Sequence, residues 1–182
     1  MVRGREEVTG VLLVGGASRR FGSPKALARL GDETLAERAY RILGEAFERV
    51  IVVGKASDDL PLPFSVLDDG SEERAAIVGV AAGVRFADSE VCVVLPTDMP
   101  FVTAELLASL AGAIADGDAA VVQTGPLPGA FRRSVLPILE RWIAVGELGL
   151  QEALKEVETR VVEVEPELLR NVNTPADLTS RR

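Results

Sequence analysis

From Val8 to Val14 every residue is apolar or small and none is charged, and the run stops at two adjacent glycines, Gly15 and Gly16. A strand without a polar face must be covered on both sides, which the chain achieves most simply in a parallel sheet lying between two layers of helices. The residues that follow narrow the choice. The loop running to Lys25 carries Ser18, Arg19, Arg20 and Lys25, so the strand delivers cations to a turn. Glycines let backbone N–H groups approach a ligand closely, and such groups beside fixed positive charge form an anion site suited to phosphate.

Beyond this loop, strand and helix patterns alternate. Thr34 is expected to cap a helix running to about Phe47, with Glu37 completing a capping box and Leu35, Ala39, Ile42, Leu43 and Ala46 on one stripe. Arg49 to Gly54 reads as a second strand, and Phe64 to Leu67 as a short third one ending at Asp68 and Asp69. A helix is expected from about Glu72 to Phe86, where Ala75, Ala76, Gly79, Ala82 and Gly83 imply close packing on the sheet. The strongest strand pattern, Glu90 to Leu95, runs into Pro96, Thr97, Asp98, Met99 and Pro100. Thr103 then caps a helix through about Ala115, and Ala119 to Thr124 reads as a strand. The segment GPLPG from Gly125 reads as a turn before a short extended piece, Ala130 to Arg132. A helix from Ser134 through Trp142, another near Leu148 to Val157 and a strand at Arg160 to Val164 complete the pattern.

Such alternation predicts a three-layer α/β/α, Rossmann-like fold with a mostly parallel sheet, formed as a single domain over residues 1–182. In these sheets ligands bind beyond the carboxyl ends of the strands. The ends are Gly15, Gly54, Asp69 and Asp98, which brings an acid to the same edge as the cationic loop. Flanked by Pro96 and Pro100, Asp98 is a candidate ligand for Mg²⁺, an ion that bridges one or two carboxylates to substrate phosphates.

Charge and composition exclude several functions. A net charge of −8 argues against a nucleic-acid partner, which needs a broad basic face. Yet Arg3, Arg5, Arg19, Arg20 and Lys25 outnumber Glu6 and Glu7 in the first 25 residues, a focus that suits a small anionic ligand. With no histidine, Ser-His-Asp hydrolysis has no general base and the common zinc sites have no imidazole ligand. Nucleotidyl transfer to a phosphate survives, because its nucleophile is already an anion and catalysis is mostly positioning and charge neutralisation. The lone Cys92, within VCVVL, reads as a core residue. No apolar run approaches the roughly 18 residues of a membrane span, and the charged N-terminus does not read as a signal peptide, so a cytoplasmic location is expected.

The glycine loop is neither a Walker A sequence nor G-x-G-x-x-G. Leu13, Val14, Gly15 and Gly16, followed by Ser18, Arg20, Gly22 and Lys25, instead resemble the signature L-x-G-G-x-S-x-R-x-G-x-x-K of the MobA-like nucleotidyltransferases. LPTDMPF resembles the segment that holds the family's metal-binding aspartate, and NVNTPADL at 171–178 is similar to its C-terminal N-[IV]-N-T-P motif. The resemblance implies transfer of GMP from GTP to the terminal phosphate of molybdopterin, with Mg²⁺ and release of pyrophosphate. It implies nucleotide contacts at Leu13, Val14, Gly15, Gly16, Ser18, Arg19 and Lys25, with Asp69 against guanine or ribose, and Asp98 as the metal ligand. Catalytic roles fall to Lys25, Arg20 and Asp98, while Asn171 and Asn173 border the acceptor side. PLPGAFRRSVLP is similar to the family's segment on the pterin side. The implied partners are the two small-molecule substrates, with possible transient contacts to molybdenum cofactor enzymes or chaperones, and neither nucleic acid nor membrane.

Three positions depart from the family pattern. Pro24 stands where Asp often precedes the loop lysine, Val53 where an Asn is common, and AAIVG at 75–79 where the family has G-P-[LV]-x-G. Two other readings therefore stay open: a cytidylyltransferase or sugar-phosphate nucleotidyltransferase on the same fold, and a nucleotide-binding subunit without catalysis.

Overall fold

The computed structural model describes residues 8–15 and 24–179 of the 182-residue chain. A seven-stranded sheet runs through them. Its strands, in chain order, are β1 (Val8–Leu13), β4 (Arg49–Gly54), β5 (Leu67–Asp68), β6 (Val91–Pro96), β7 (Ala119–Val122), β8 (Gly125–Arg132) and β9 (Thr159–Val162), while the short strands β2 (Arg29–Leu30) and β3 (Glu33–Thr34) form a separate two-stranded ribbon. Across the sheet the order is β5-β4-β1-β6-β8-β7-β9, with β8 antiparallel to both neighbours and the other pairings parallel.

Alternate residues of the central strands feed two cores. Leu12 and Val14 of the first strand segment and Val91, Val93 and Leu95 of β6 pack on one face, under α1 (Leu35–Ala46) and α3 (Ala104–Ala113). Val11, Cys92 and Val94 pack on the other, under α2 (Ala76–Phe86), α4 (Leu136–Ala144) and α5 (Leu150–Ala153). This is the three-layer arrangement expected of strands apolar on both faces. A last short helix, α6 (Pro175–Thr179), begins at the proline of the asparagine motif.

Several local expectations hold in detail. The capping box of α1 forms: Thr34 Oγ1 accepts from Glu37 N at 3.1 Å, and Glu37 Oε2 accepts from Thr34 N at 2.8 Å. Small residues do bring α2 close to the sheet, since a Cβ at Gly79 would stand 3.1 Å from Leu13 and one at Gly83 would stand 2.8 Å from Val11.

Two expectations are corrected. GPLPG is not a turn between strands but the first half of β8. Register explains how prolines enter a central strand: Val122 pairs with Gly125 and Val121 with Gly129, so residues 126–128 bulge outward where no ladder N–H is needed. Likewise α2 begins at Ala76, not near Glu72, because the chain before it is held in other bonds: Ser71 Oγ accepts from Glu73 N, and the carbonyls of Ser71 and Glu73 accept from Lys55. The remaining boundaries shift by a few residues, as helix and strand ends commonly do.

Candidate active site

From β1 the chain steps outward through β4 to β5, then crosses back to β6 on the other side of β1. That reversal opens a crevice beyond the carboxyl ends of β1 and β6, the usual ligand position in open α/β sheets. A cavity of about 720 Å³ occupies it, and its walls include Leu13, Val14, Gly15, Lys25, Asp69 and Asp98. Four further expected residues, Gly16, Ser18, Arg19 and Arg20, lie outside the described residues.

Each expected residue arrives by a distinct local device. Val14 N donates to Val53 O at 2.9 Å and Leu13 O accepts from Thr97 N at 3.3 Å, so the strand end is tied to both neighbours. Gly15 then turns at the cavity edge with φ of 109°, in the region that favours glycine. Pro24 is the residue before a 3₁₀ turn, Lys25–Leu27, and its φ of −56° is one that the proline ring fixes. The proline that departs from the family pattern is thus structurally compatible with the lysine beside it.

Lys25 is where the distant motifs meet. Its Nζ donates to Asn173 Oδ1 at 3.0 Å and lies 3.5 Å from Asp98 Oδ2. Asp98 itself sits in the turn after β6, with its carboxylate about one-third exposed and its carbonyl accepting from Val172 N at 2.8 Å. Val172 is fully buried and anchors the segment, while Asn173 and Thr174 donate their N–H groups to Asp177 Oδ2 at 2.8 and 2.7 Å. Those two bonds hold the Asp177 carboxyl below its usual range. Asn171 and Asn173 are both exposed, and it is Asn173 that joins the cluster, through its bond to Lys25.

At the other end of the cavity, Asp69 is not a bare acceptor. Its Oδ1 accepts from Lys55 Nζ at 2.8 Å and from Ser71 N at 3.0 Å, and both ionic side chains are more than nine-tenths buried. Nearby, Arg74 grips Asp58 with two nitrogens, at 2.5 and 3.0 Å, and Asp58 raises the Arg74 guanidinium pKa further. Lys55, Asp58 and Arg74 line the cavity but were not singled out from sequence. A lone Lys, Asp or Arg in a polar loop carries no periodic signal. Leu127, within the segment that the family resemblance places on the pterin side, is carried to the cavity wall by the bulge of β8.

As a metal site this is sparse. Among the described residues no group of three or more Asp, Glu, Cys or His side chains is placed to hold an ion. A single carboxylate facing an open cavity does fit Mg²⁺, which keeps waters and takes substrate phosphates as its other ligands. Cys92 is 2% exposed inside β6, and burial pushes its thiol up to about 12, which rules it out as a nucleophile at neutral pH. Among the described residues no helix is long and apolar enough to cross a membrane.

Comparison with known proteins agrees with this fold. Residues 10–161 match the profile of the MobA-like NTP transferase domain. The chain is 34% identical to a protein from Chloroflexus aggregans named a probable molybdenum cofactor guanylyltransferase, over 94% of this chain and 91% of that one. Among solved structures, molybdopterin-guanine dinucleotide biosynthesis protein A from Archaeoglobus fulgidus superposes with a TM-score of 0.80 at 26% identity, covering 94% of this chain and 95% of its own. The fold alone is shared with 4-diphosphocytidyl-2C-methyl-D-erythritol synthase from Anaerococcus prevotii, with a TM-score of 0.74, 14% identity, and coverage of 96% and 94%.

Proposed function

This chain belongs to the MobA-like NTP transferase family, and from that membership we propose that it transfers GMP from GTP to the terminal phosphate of molybdopterin, releasing pyrophosphate. The observation that carries this reading is the meeting of Lys25, Asp98 and Asn173 at one end of a nucleotide-sized cavity.

The acceptor phosphate attacks the α-phosphate of GTP in line with the bond to the β-phosphate. A P–O bond to the acceptor forms as the α–β bridge bond breaks, and the electron pair leaves with pyrophosphate. Neither step needs histidine, because the nucleophile is already ionised. The obstacle is repulsion between two anions, which cations positioned beforehand offset. Lys25 supplies one such charge, and Arg19 and Arg20 of the glycine loop are assigned the same task. Gly15, with its neighbours Leu13 and Val14, borders the triphosphate through backbone. Asp98 is assigned to hold Mg²⁺, which when bound neutralises charge on the phosphates and orients them. Asn173 orients Lys25 from the acceptor side.

The base then lies toward Asp69 and the first turn of α2, where Ala75, Ala76 and Gly79 line the wall with Leu13 and Val53. On this reading the protein works in the cytoplasm as a single catalytic unit. Its product passes to molybdenum cofactor enzymes or chaperones by transient contact.

The test is pyrophosphate release from each of the four nucleoside triphosphates with Mg²⁺ and molybdopterin. Release from GTP alone is expected. Release from CTP alone would replace the guanylyl reading with a cytidylyl one, and tight GTP binding without release would make the chain a non-catalytic nucleotide binder.

A further inference from the structure

We propose that Lys55 is the positioning residue that sets the nucleobase end of the cavity, acting through the loop of residues 69–74 and not by touching the nucleotide. The inference rests on the nucleotidyl-transfer reading above. Lys55 follows β4 directly, and its side chain is 9% exposed against 7% for Asp69. An ammonium group carries three protons. Here they meet three acceptors: Asp69 Oδ1 at 2.8 Å, Ser71 O at 2.5 Å and Glu73 O at 2.6 Å. All three belong to one loop, so a single side chain closes that loop on itself. With its donors committed, Lys55 has none left to offer a ligand.

The loop is also fastened to the end of β4. Asp69 N donates to Gly54 O at 2.9 Å, and the Asp68 carboxylate accepts from Ala56 N at 2.6 Å and Gly70 N at 2.7 Å. From Glu73 onward the chain becomes cavity wall, and Arg74 reaches across to Asp58, whose Oδ2 would lie 3.1 Å from a Cβ at Gly15. A displacement of the Ser71 and Glu73 carbonyls is therefore a displacement of the wall that faces the base. Electrostatics points the same way, because an unpaired carboxylate at Asp69 would add a negative charge to a cavity that must take a triphosphate, and Lys55 neutralises it.

A residue that serves only the fold would change melting temperature and leave the kinetic constants alone. A residue that positions the base end changes KM for the nucleotide and the choice among bases. The experiment compares the full-length protein with Lys55→Met, Asp69→Asn and the double variant, measuring steady-state pyrophosphate release and calorimetric affinity for GTP, CTP and ATP. Lys55→Met is expected to raise KM and Kd for GTP about tenfold or more, to lower kcat far less, and to narrow the preference for GTP. If Lys55→Met fails to fold because Asp69 is left uncompensated, the double variant removes that charge, and it is expected to bind GTP about tenfold more weakly than Asp69→Asn alone. Equal affinity of the double variant and Asp69→Asn overturns the proposal, as does a loss confined to kcat. Failure of the wild-type protein to release pyrophosphate from GTP overturns the functional reading instead, and the calorimetric comparison then still decides the role of Lys55.

Discussion

Lys25 Nζ lies 3.0 Å from Asn173 Oδ1, a bond between residues 148 positions apart that joins the first crossover loop of the sheet to the last loop of the described chain. Asp98 Oδ2 stands 3.5 Å from the same ammonium. Lys25→Ala removes a positioned cation and is expected to lower kcat/KM by about 10²- to 10³-fold, the range found for loss of one preorganised charge-stabilising group. Because the pair is partly exposed, the melting temperature should move little. Asn173→Ala leaves the charge but frees its direction, and a smaller loss of about tenfold is expected. A normal rate for Lys25→Ala in the pyrophosphate assay would show that the phosphates bind elsewhere.

Asp98→Asn separates the two jobs of that residue. Its main-chain carbonyl accepts from Val172 N whatever the side chain, so docking of the C-terminal segment is retained and the thermal melt should be close to wild type. The side-chain change removes the carboxylate that stands 3.5 Å from Lys25, and turnover should fall about 100-fold or more while the dependence on Mg²⁺ concentration shifts to higher values. Titration of activity against Mg²⁺ checks both outcomes.

Legibility in the sequence followed the range of the interactions. The capping box at Thr34 and Glu37 depends on neighbours three residues apart and was readable outright. The two-faced apolar strands announced the layered sheet, and the strand-end rule brought Gly15, Gly54, Asp69 and Asp98 to one edge. Family resemblance implied that Lys25 and Asn173 both belong to the site, but not that they bond to each other, since no local pattern joins positions so far apart. What stayed hidden were devices that exist only after folding: the bulge that turns GPLPG into strand β8, and the three carbonyl and carboxylate oxygens that converge on Lys55.

Gly54 is a close-approach glycine, not a turn glycine. A Cβ there would stand 2.6 Å from Val14 O and 2.8 Å from Val14 Cγ2, so the end of β1 would have to move. Gly54→Ala is expected to destabilise the protein by about 1–3 kcal/mol, as overpacking of a filled core does. The same displacement reaches Gly15 and Lys55, which flank the contact, so nucleotide affinity should fall together with the urea midpoint. An unchanged midpoint would mean that the strands separate without cost.

Cys92 provides a reporter of opening. Burial pushes its thiol up to about 12, so almost none is thiolate at pH 8, and no reagent reaches it in the folded state. Maleimide labelling should therefore track unfolding: negligible in buffer and complete above the urea midpoint. Fast labelling of the native protein would contradict the burial of β6.

Asp177 gives the candidate site a pH dependence of defined sign. Its carboxylate accepts from Asn173 N and Thr174 N, and these bonds hold its folded-state pKa below the ordinary value. A group with a depressed folded pKa contributes stability that is fully present above its unfolded value, near 3.9, and is lost as pH falls through the folded one. The stability difference between wild type and Asp177→Asn, measured by urea unfolding, should thus be constant above roughly pH 5 and shrink steadily below about pH 4. Asp177 fixes the backbone of Asn173, which in turn contacts Lys25, so Asp177→Asn should also lower turnover at neutral pH, by less than Asn173→Ala does. A stability difference that grew on acidification would reverse the assigned sign and remove Asp177 from the support of the site.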